Sequence, residues 1–244
     1  MRSSRSRQAE LAALGAVPFA HRGLHGGGRV ENSSGAFRAA AEAGYGIELD
    51  VQLSRDGCPM VFHDDRLDRL TNKSGPLAAL TAAELRSMRL YTSNEVMPTL
   101  AEALEIVACR VPVLIEVKAP DRHVAPLCEA VARALDGYAG PVGVISFNPE
   151  VGAWFAPRAP ERLRGLVISE RGKKGLRGRL ERPLALWRSR ADFLAYDIRD
   201  LPSRFAAAAR RRGVPVYTWT VRSEADRARA AAHADQIIFE MPPA

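Results

Sequence analysis

Short apolar segments alternate with helix-forming segments along almost all of this 244-residue chain. Eight of the apolar segments are rich in β-branched or aromatic residues and are bounded by Gly, Pro or charged residues. They cover residues 17–20, 46–53, 111–117, 141–146, 164–169, 192–196, 214–220 and 236–240. Such segments are typical of parallel strands that are buried on both faces and connected by helices. We therefore expect an α/β protein with eight strands.

Sequence signals for helix starts lie between these segments. Thr81 and Thr99 are each followed three residues later by Glu, which is the spacing of a capping box, and Ser223 opens an alanine-rich segment. Eight strands alternating with helices over this length favour a (β/α)8 TIM barrel that forms a single domain over residues 1–244. A doubly wound open sheet would show the same alternation, so the pattern alone leaves both folds open.

One interval, at about residues 54–98, interrupts the alternation after the second strand. It is far longer than an ordinary connection, and it contains the hairpin-like segment RDGCPMVFHDD and a short predicted helix at 81–88. Loops at the carboxyl ends of barrel strands form the active-site face of a TIM barrel. We therefore expect this insertion to cap the site.

The composition favours a soluble protein with a buried core, because 47% of the residues are hydrophobic and 26% are charged. The sequence has no apolar run long enough to predict a transmembrane helix, and its basic start lacks the apolar core of a signal peptide. We expect a cytoplasmic location. The three cysteines are far apart without CxxC spacing, which favours reduced thiols over disulfides or a zinc site.

The formal net charge of +7 is concentrated in the basic segment 169–190. This segment is either a solvated surface or a surface that attracts an anionic substrate or an anionic lipid, in which case the protein would make weak peripheral contact with a membrane. No recognised nucleic-acid-binding motif surrounds it, so no nucleic-acid partner is expected. The sequence does not indicate an oligomeric state.

Carboxylates occur near the ends of two neighbouring predicted strands. Glu48 and Asp50 are two positions apart, so they face the same side of the strand, and Glu116 and Lys118 repeat this spacing on the next one. Three carboxylates at adjacent strand ends provide oxygen ligands suited to a hard divalent cation, Mg²⁺ or Ca²⁺. An ion-pair cluster that includes Lys118 is the alternative, and both interpretations stay open.

Two histidines fall at predicted strand ends that face the same region. His21 directly follows the first strand, and His63 ends the hairpin-like segment of the insertion. Two imidazoles beside a cation suit the removal and donation of protons at a phosphate ester. Arg22 and Lys118 have side chains that can bind the phosphate oxygens.

The combination of motifs resembles the glycerophosphodiester phosphodiesterase family. The resemblance rests on HRG followed by ENS, IELDVQLSRDG, VFHDDRLDRLT, MPTLAEAL and IEVK, in this order over residues 21–118, with weaker similarity in SFNP and YTWTV. It implies a TIM barrel with an insertion after the second strand. It also implies metal-dependent hydrolysis of a small-molecule glycerophosphodiester to glycerol phosphate and an alcohol, after attack by water or by a neighbouring hydroxyl.

The resemblance implies a role for each matched residue. The implied acid–base pair is His21 and His63. The implied ligands of a divalent cation, Ca²⁺ or Mg²⁺, are Glu48, Asp50 and Glu116. The residues implied to bind the substrate are Arg22, Lys118 and Trp219.

Two positions depart from the family pattern, and two further functions stay open. Val30 stands where the family usually has Pro, and Glu240 stands where it usually has Asp.

One alternative function is a lysophospholipase-D-like activity on lipids, which the basic charge favours and which would need an apolar rim at the barrel mouth. The other is a barrel that binds phosphorylated ligands without turnover, which the complete set of two histidines and three carboxylates disfavours.

Overall fold

The structure, a computed structural model, describes residues 4–91, 93–173 and 175–241 and contains all eight expected strands. With one additional strand in the insertion, the strands are β1 (Phe19–Ala20), β2 (Gly46–Leu53), β3 (Pro59–Val61), β4 (Val113–Val117), β5 (Val142–Ser146), β6 (Leu163–Ile168), β7 (Phe193–Asp197), β8 (Val216–Val221) and β9 (Gln236–Phe239). All except β3 are parallel to their neighbours, and β1 pairs with both β2 and β9. The sheet is therefore closed, which confirms the TIM barrel over the open sheet.

Helices alternate with the barrel strands, as the sequence pattern predicts. They are α1 (Ser4–Leu14), α2 (Ser34–Glu42), α3 (Ala82–Arg86), α4 (Leu100–Val107), α5 (Ala125–Ala134), α6 (Pro149–Arg158), α7 (Leu176–Ser189), α8 (Arg204–Arg211) and α9 (Glu224–His233). Both predicted capping boxes are present, at Thr81 and Thr99, and the Ser223 side chain caps α9. None of the helices in the described ranges combines the length and apolar composition needed to cross a bilayer.

The alternation of side chains along β2 separates the core from the site. Ile47, Leu49 and Val51 face outward and belong to the apolar layer between the strands and the helices. Glu48 and Asp50 face the interior of the barrel, because successive side chains of a strand point to opposite faces. A second apolar cluster, which includes Leu14 of α1, fills the interior below the site.

The insertion has a small apolar cluster of its own and lies against the end of β2. Its buried side chains include Met60, Phe62, Leu77 and Leu85. Strand β3 pairs antiparallel with β2, and the Phe62 N–H donates to the Asp50 carbonyl oxygen over 3.0 Å. This pairing brings the residue after Phe62, which is His63, to the mouth of the barrel.

Candidate active site

A cavity of about 450 Å³ opens at the carboxyl ends of the barrel strands. Seven of the eight residues that the sequence assigns to the site line it, namely His21, Arg22, Glu48, His63, Glu116, Lys118 and Trp219. The eighth, Asp50, is 1% exposed and lies among them, within reach of Glu48 and Glu116. The fold therefore brings all the predicted residues together.

The three carboxylates form one buried cluster. Asp50 and Glu116 are partners in the register between β2 and β4, and Glu48 lies two residues before Asp50 on the same face. One oxygen from each of the three residues lies within 4.8 Å of the others. This spacing would allow all three to contact a single cation.

Two cationic side chains also reach this cluster. Lys118 Nζ lies 2.6 Å from Glu116 Oε1 and 2.8 Å from Asp50 Oδ1. Arg22 Nε lies 3.4 Å from Asp50 Oδ2, and the Arg22 backbone N–H donates to Glu48 Oε2 over 3.0 Å. The ion pairs that the sequence left as an alternative are therefore formed, and they involve the same carboxylates as the candidate metal site.

These ion pairs leave the cluster with unbalanced negative charge. Burial, together with repulsion from Asp50 and Glu116, raises the pKa of Glu48 well above its usual range. Burial likewise raises the pKa of Glu116, although Lys118 opposes the change. At Asp50 burial acts in the same direction, but the charges of Lys118 and Arg22 prevail and lower its pKa to about 2.

The donor atoms of the cluster fit a hard divalent cation. All three donors are carboxylate oxygens, which Mg²⁺ and Ca²⁺ prefer. Asp50 Oδ1 is buried and has no hydrogen-bond partner among the described residues, although Lys118 lies close enough to pair with it by charge. A divalent cation would offset the repulsion that raises the pKa of Glu48.

His21 is fixed by a carboxylate from the opposite end of the chain. Its backbone N–H donates to the Phe239 carbonyl oxygen over 2.8 Å, and its Nδ1 lies 2.6 Å from Glu240 Oε1. Arg222 holds Glu240 with two hydrogen bonds of 2.6 and 2.9 Å. The Nε2 atom of His21 is directed toward the carboxylate cluster and lies 3.9 Å from Glu48 Oε2.

Burial and the Glu240 carboxylate shift the pKa of His21 in opposite directions. Burial lowers the pKa of His21, and the hydrogen bond to Glu240 opposes this, so the net pKa lies below 6.5. The pKa of the Glu240 carboxyl is shifted further from its usual value. Although burial would raise its pKa, the bonds to His21 and Arg222 lower that pKa to about 2. At neutral pH the pair is therefore a neutral imidazole that donates from Nδ1 to a carboxylate.

His63 has an equivalent arrangement on the insertion side of the cavity. Its Nδ1 lies 2.6 Å from Asp64 Oδ1, and Arg69 Nε donates to the other oxygen of Asp64 over 2.5 Å. Arg69 also bonds Glu31, which accepts a 2.7 Å hydrogen bond from Arg22. One chain of ion pairs therefore links the positions of His63 and Arg22.

Asn32 supports the base of the site, and Ser33 caps the following helix. The Asn32 side chain is 1% exposed and donates to Asp50 Oδ2 over 2.9 Å. Its backbone N–H donates to the Arg22 carbonyl oxygen, and both residues have left-handed φ angles, 55° and 56°. This conformation is uncommon for residues other than Gly, and Asn is among those that adopt it most readily. The Ser33 side chain accepts from the N–H of Ala36 at the start of α2.

Two aromatic side chains form the apolar part of the cavity mouth. Trp219 on β8 donates from its indole nitrogen to the Ala195 carbonyl oxygen over 2.9 Å. Phe147 packs edge-on against it with ring centroids 5.5 Å apart, and 50% of Phe147 is exposed. The sequence predicts Trp219 as a pocket residue but gives no role to Phe147, which is part of the weakly matching SFNP segment.

The sequence also leaves Glu240, Arg222 and Arg69 without assigned roles. Glu240 is 219 positions from His21, so no local spacing connects the two residues. Two sequence signals point to it. One is its place at the end of the last strand, because β9 and β1 become neighbours when a barrel closes, and the other is its match to the position where the family pattern usually has Asp.

Comparisons with known proteins identify the family of this chain. The model of the glycerophosphoryl diester phosphodiesterase family matches residues 21–241. A glycerophosphodiester phosphodiesterase from Bacillus altitudinis is 41% identical over 107 residues, which are 41% of this chain and 43% of that protein. One from Caldanaerobacter subterraneus is 29% identical over 227 residues, covering 87% of this chain and 89% of that protein.

A solved structure has the same fold. It is an Oleispira antarctica phosphodiesterase in complex with the product sn-glycerol-3-phosphate, with a TM-score of 0.79, 24% identity and coverage of 91% of both chains. The family match spans the barrel from His21 after β1 to the residues that follow β9. This chain therefore belongs to the glycerophosphoryl diester phosphodiesterase family, which is a family of hydrolases.

Proposed function

We propose that this protein hydrolyses glycerophosphodiesters to glycerol phosphate and an alcohol, with His21 and His63 as the acid–base pair. One observation carries the proposal: two imidazoles, each fixed at Nδ1 by a carboxylate, line the same cavity as a buried cluster of three carboxylates. The relatives named as glycerophosphodiester phosphodiesterases support it, as does the structural relative with bound sn-glycerol-3-phosphate, a product of the proposed type.

Glu48, Asp50 and Glu116 would hold a divalent cation, Ca²⁺ or Mg²⁺. When bound, the cation supplies positive charge that offsets the charge developing on the phosphate oxygens during the reaction. The fit rests on the oxygen donors, on their mutual distances within 4.8 Å and on the unbalanced negative charge of the cluster.

His21 has the properties of the general base. Its lowered pKa keeps the ring neutral near pH 7, and the bond from Nδ1 to Glu240 leaves Nε2 to accept a proton. That proton comes from the attacking water or from a neighbouring hydroxyl of the substrate. Glu240 then stabilises the imidazolium that forms, because the carboxylate is already in place at 2.6 Å.

His63 would act as the general acid. As the bond between phosphorus and the leaving oxygen breaks, His63 donates a proton to that oxygen, and the alcohol leaves in its neutral form. Asp64 holds the ring through Nδ1 and is itself held by Arg69.

Arg22 and Lys118 would bind the phosphate. Both lie at the carboxylate cluster and line the cavity, with side chains 16% and 19% exposed. The Arg22 guanidinium is held by Glu31 and lies beside Asp50, so it offers donors in a fixed orientation.

A lysophospholipase-D-like activity is the second candidate, and the exposed Phe147 beside Trp219 favours it. These rings give the cavity mouth an apolar side that could contact the acyl-bearing glycerol of a lysophospholipid. The first candidate requires only that these rings pack against a small alcohol.

Parallel hydrolysis assays test both candidates. Glycerophosphocholine, glycerophosphoethanolamine and a lysophospholipid are incubated with the protein in Ca²⁺, in Mg²⁺ and in chelator. We expect release of the alcohol in at least one metal and none in chelator, and the preferred substrate identifies the activity. Absence of turnover in both metals would refute hydrolysis and leave the barrel as a phospholigand-binding protein.

A further inference from the structure

Helix α7 exposes a stripe of large apolar side chains. Leu176, Leu180, Leu184 and Trp187 are 77, 74, 62 and 74% exposed. At about 100° per residue, these four positions fall within about 80° of one another around the helix. A contiguous apolar stripe on the surface indicates a binding partner far more strongly than scattered exposed residues do.

The stripe takes no part in the packing of the barrel. The opposite face of α7 carries Ala185 and Leu186, which pack against the main core, and the buried Gly178. Arg182 also points inward, where its guanidinium lies over the Phe205 ring. The helix therefore has one apolar side for the barrel and a second that faces outward.

Basic side chains border the stripe on both sides. By helical spacing, Arg177 and Arg188 lie along one edge and Arg179 along the other, and all three are exposed. The segment 169–190 contains eight Lys and Arg residues and two Glu residues, so it carries six of the seven net positive charges of the chain. This charge repels a second copy of α7 and attracts an anionic surface.

We propose that α7 docks on a lipid bilayer that contains anionic phospholipids. The leucines and Trp187 would enter the boundary between headgroups and acyl chains, and the bordering arginines would bind headgroup phosphates. This arrangement is that of an amphipathic helix lying in the membrane surface. The docking does not depend on the proposed hydrolysis.

A second basic feature extends this surface toward the barrel mouth. A cavity of about 610 Å³ adjoins α7, and four arginines line it, namely Arg179, Arg182, Arg199 and Arg204. Glu170 and Asp200 are the acidic residues of its lining. Arg199 also lines the cavity of the candidate active site. Docking through α7 would therefore place the mouth of the barrel beside the bilayer.

Vesicle sedimentation tests the proposal. Protein of all 244 residues in chelator is mixed with vesicles of phosphatidylcholine alone, or of equal parts phosphatidylcholine and phosphatidylglycerol. We expect sedimentation with the mixed vesicles only, and release at high salt, because screening weakens the attraction between exposed charges. Equal binding to neutral vesicles, or binding to neither kind, would overturn the proposal.

Two double variants separate the apolar and electrostatic contributions. Leu180→Gln with Trp187→Gln should weaken vesicle binding by more than roughly tenfold for each side chain removed from the bilayer. Arg177→Gln with Arg179→Gln should weaken it roughly fivefold for each lost charge. The matched control is Arg38→Gln with Arg133→Gln, which removes the same charge from exposed positions on α2 and α5 and should bind like the wild type.

Tryptophan fluorescence provides a readout that loss of folding cannot imitate. Trp emission of the wild type should shift to shorter wavelength on mixed vesicles, whereas Trp187→Phe should keep binding and lose most of the shift. Unchanged binding of both α7 double variants would overturn the proposal. The proposal would also be overturned if the wild type did not bind vesicles but formed a dimer, and if the Leu180 and Trp187 changes dissociated that dimer. A second copy of the chain would then cover the stripe.

Discussion

Replacing Glu240 with Gln removes the charge that fixes His21 while keeping the size of the side chain. The wild-type carboxylate accepts a 2.6 Å hydrogen bond from His21 Nδ1 and two from Arg222. Glu240 is 18% exposed on its side chain and His21 is 11% exposed, so solvent screens this interaction only partly. The substitution therefore mainly removes the negative charge that would stabilise an imidazolium at His21.

The expected loss of activity follows from the strength of a charge-assisted hydrogen bond. Such a bond contributes about 1.5–3 kcal/mol, and each 1.36 kcal/mol in the barrier changes the rate about tenfold. If His21 gains a proton in the transition state, Glu240→Gln should lower kcat by roughly tenfold to a hundredfold. The KM should change little, because Glu240 is not among the residues that line the cavity.

The pH profile distinguishes positioning of His21 from a merely structural role. The bond to Glu240 raises the pKa of His21 against the larger lowering by burial, so its removal should lower this pKa further. A general base must be unprotonated, so the acidic limb of the kcat profile should move to lower pH. We expect that shift in Glu240→Gln, and partial recovery of kcat in Glu240→Asp, which keeps the charge.

Glu224→Gln is the matched control, because Glu224 lies at the start of α9 with its side chain 94% exposed. It should leave kcat and the pH profile unchanged. A Glu240→Gln enzyme with wild-type kcat, or with reduced kcat and an unmoved acidic limb, would refute the role assigned to the pair of His21 and Glu240.

Three further predictions follow from the site. Glu48→Gln should abolish metal-dependent turnover. Its melting temperature in chelator should equal or exceed that of the wild type, because the change removes a buried carboxyl whose pKa is raised. A large drop in the melting temperature would contradict the unbalanced negative charge of the cluster. The free energy of unfolding should decrease as the pH is lowered from 4.5, the usual pKa of Glu240, to about 2, its pKa in the folded protein. Acid titration of Glu240→Gln should show a smaller decrease over the same pH range. Phe147→Ala should raise KM for a lysophospholipid several-fold more than for glycerophosphocholine if the apolar mouth binds an acyl-bearing glycerol. Equal changes in KM would remove Phe147 from substrate selection.

The repeating strand pattern was sufficient to predict the strands and their order along the chain. The period of two along β2 also predicted that Glu48 and Asp50 share a face, because a strand imposes this alternation locally. Closure of the sheet was not predictable from the pattern, since an open sheet has the same alternation. It depends on the pairing of β1 with both β2 and β9, which is a long-range property.

The carboxylates that hold the two histidines likewise differ in how far along the chain they lie from their histidine. Asp64 follows His63 directly in the chain, so the carboxylate that holds this ring is its sequence neighbour. Glu240 reaches His21 only because barrel closure joins the ends of the chain. The basic character of segment 169–190 is evident from composition, whereas the outward direction of its leucines is decided by which face of α7 packs against the barrel.

The sequence by itself therefore determined the barrel's strands, the motif residues and the chemistry available to them, because these depend on local periodicity and on residue type. Only the tertiary structure decided which charges are buried together, which carboxylate holds His21 and which apolar face remains uncovered. Those properties depend on distances between residues far apart in the chain, and such distances are set by packing and sheet closure.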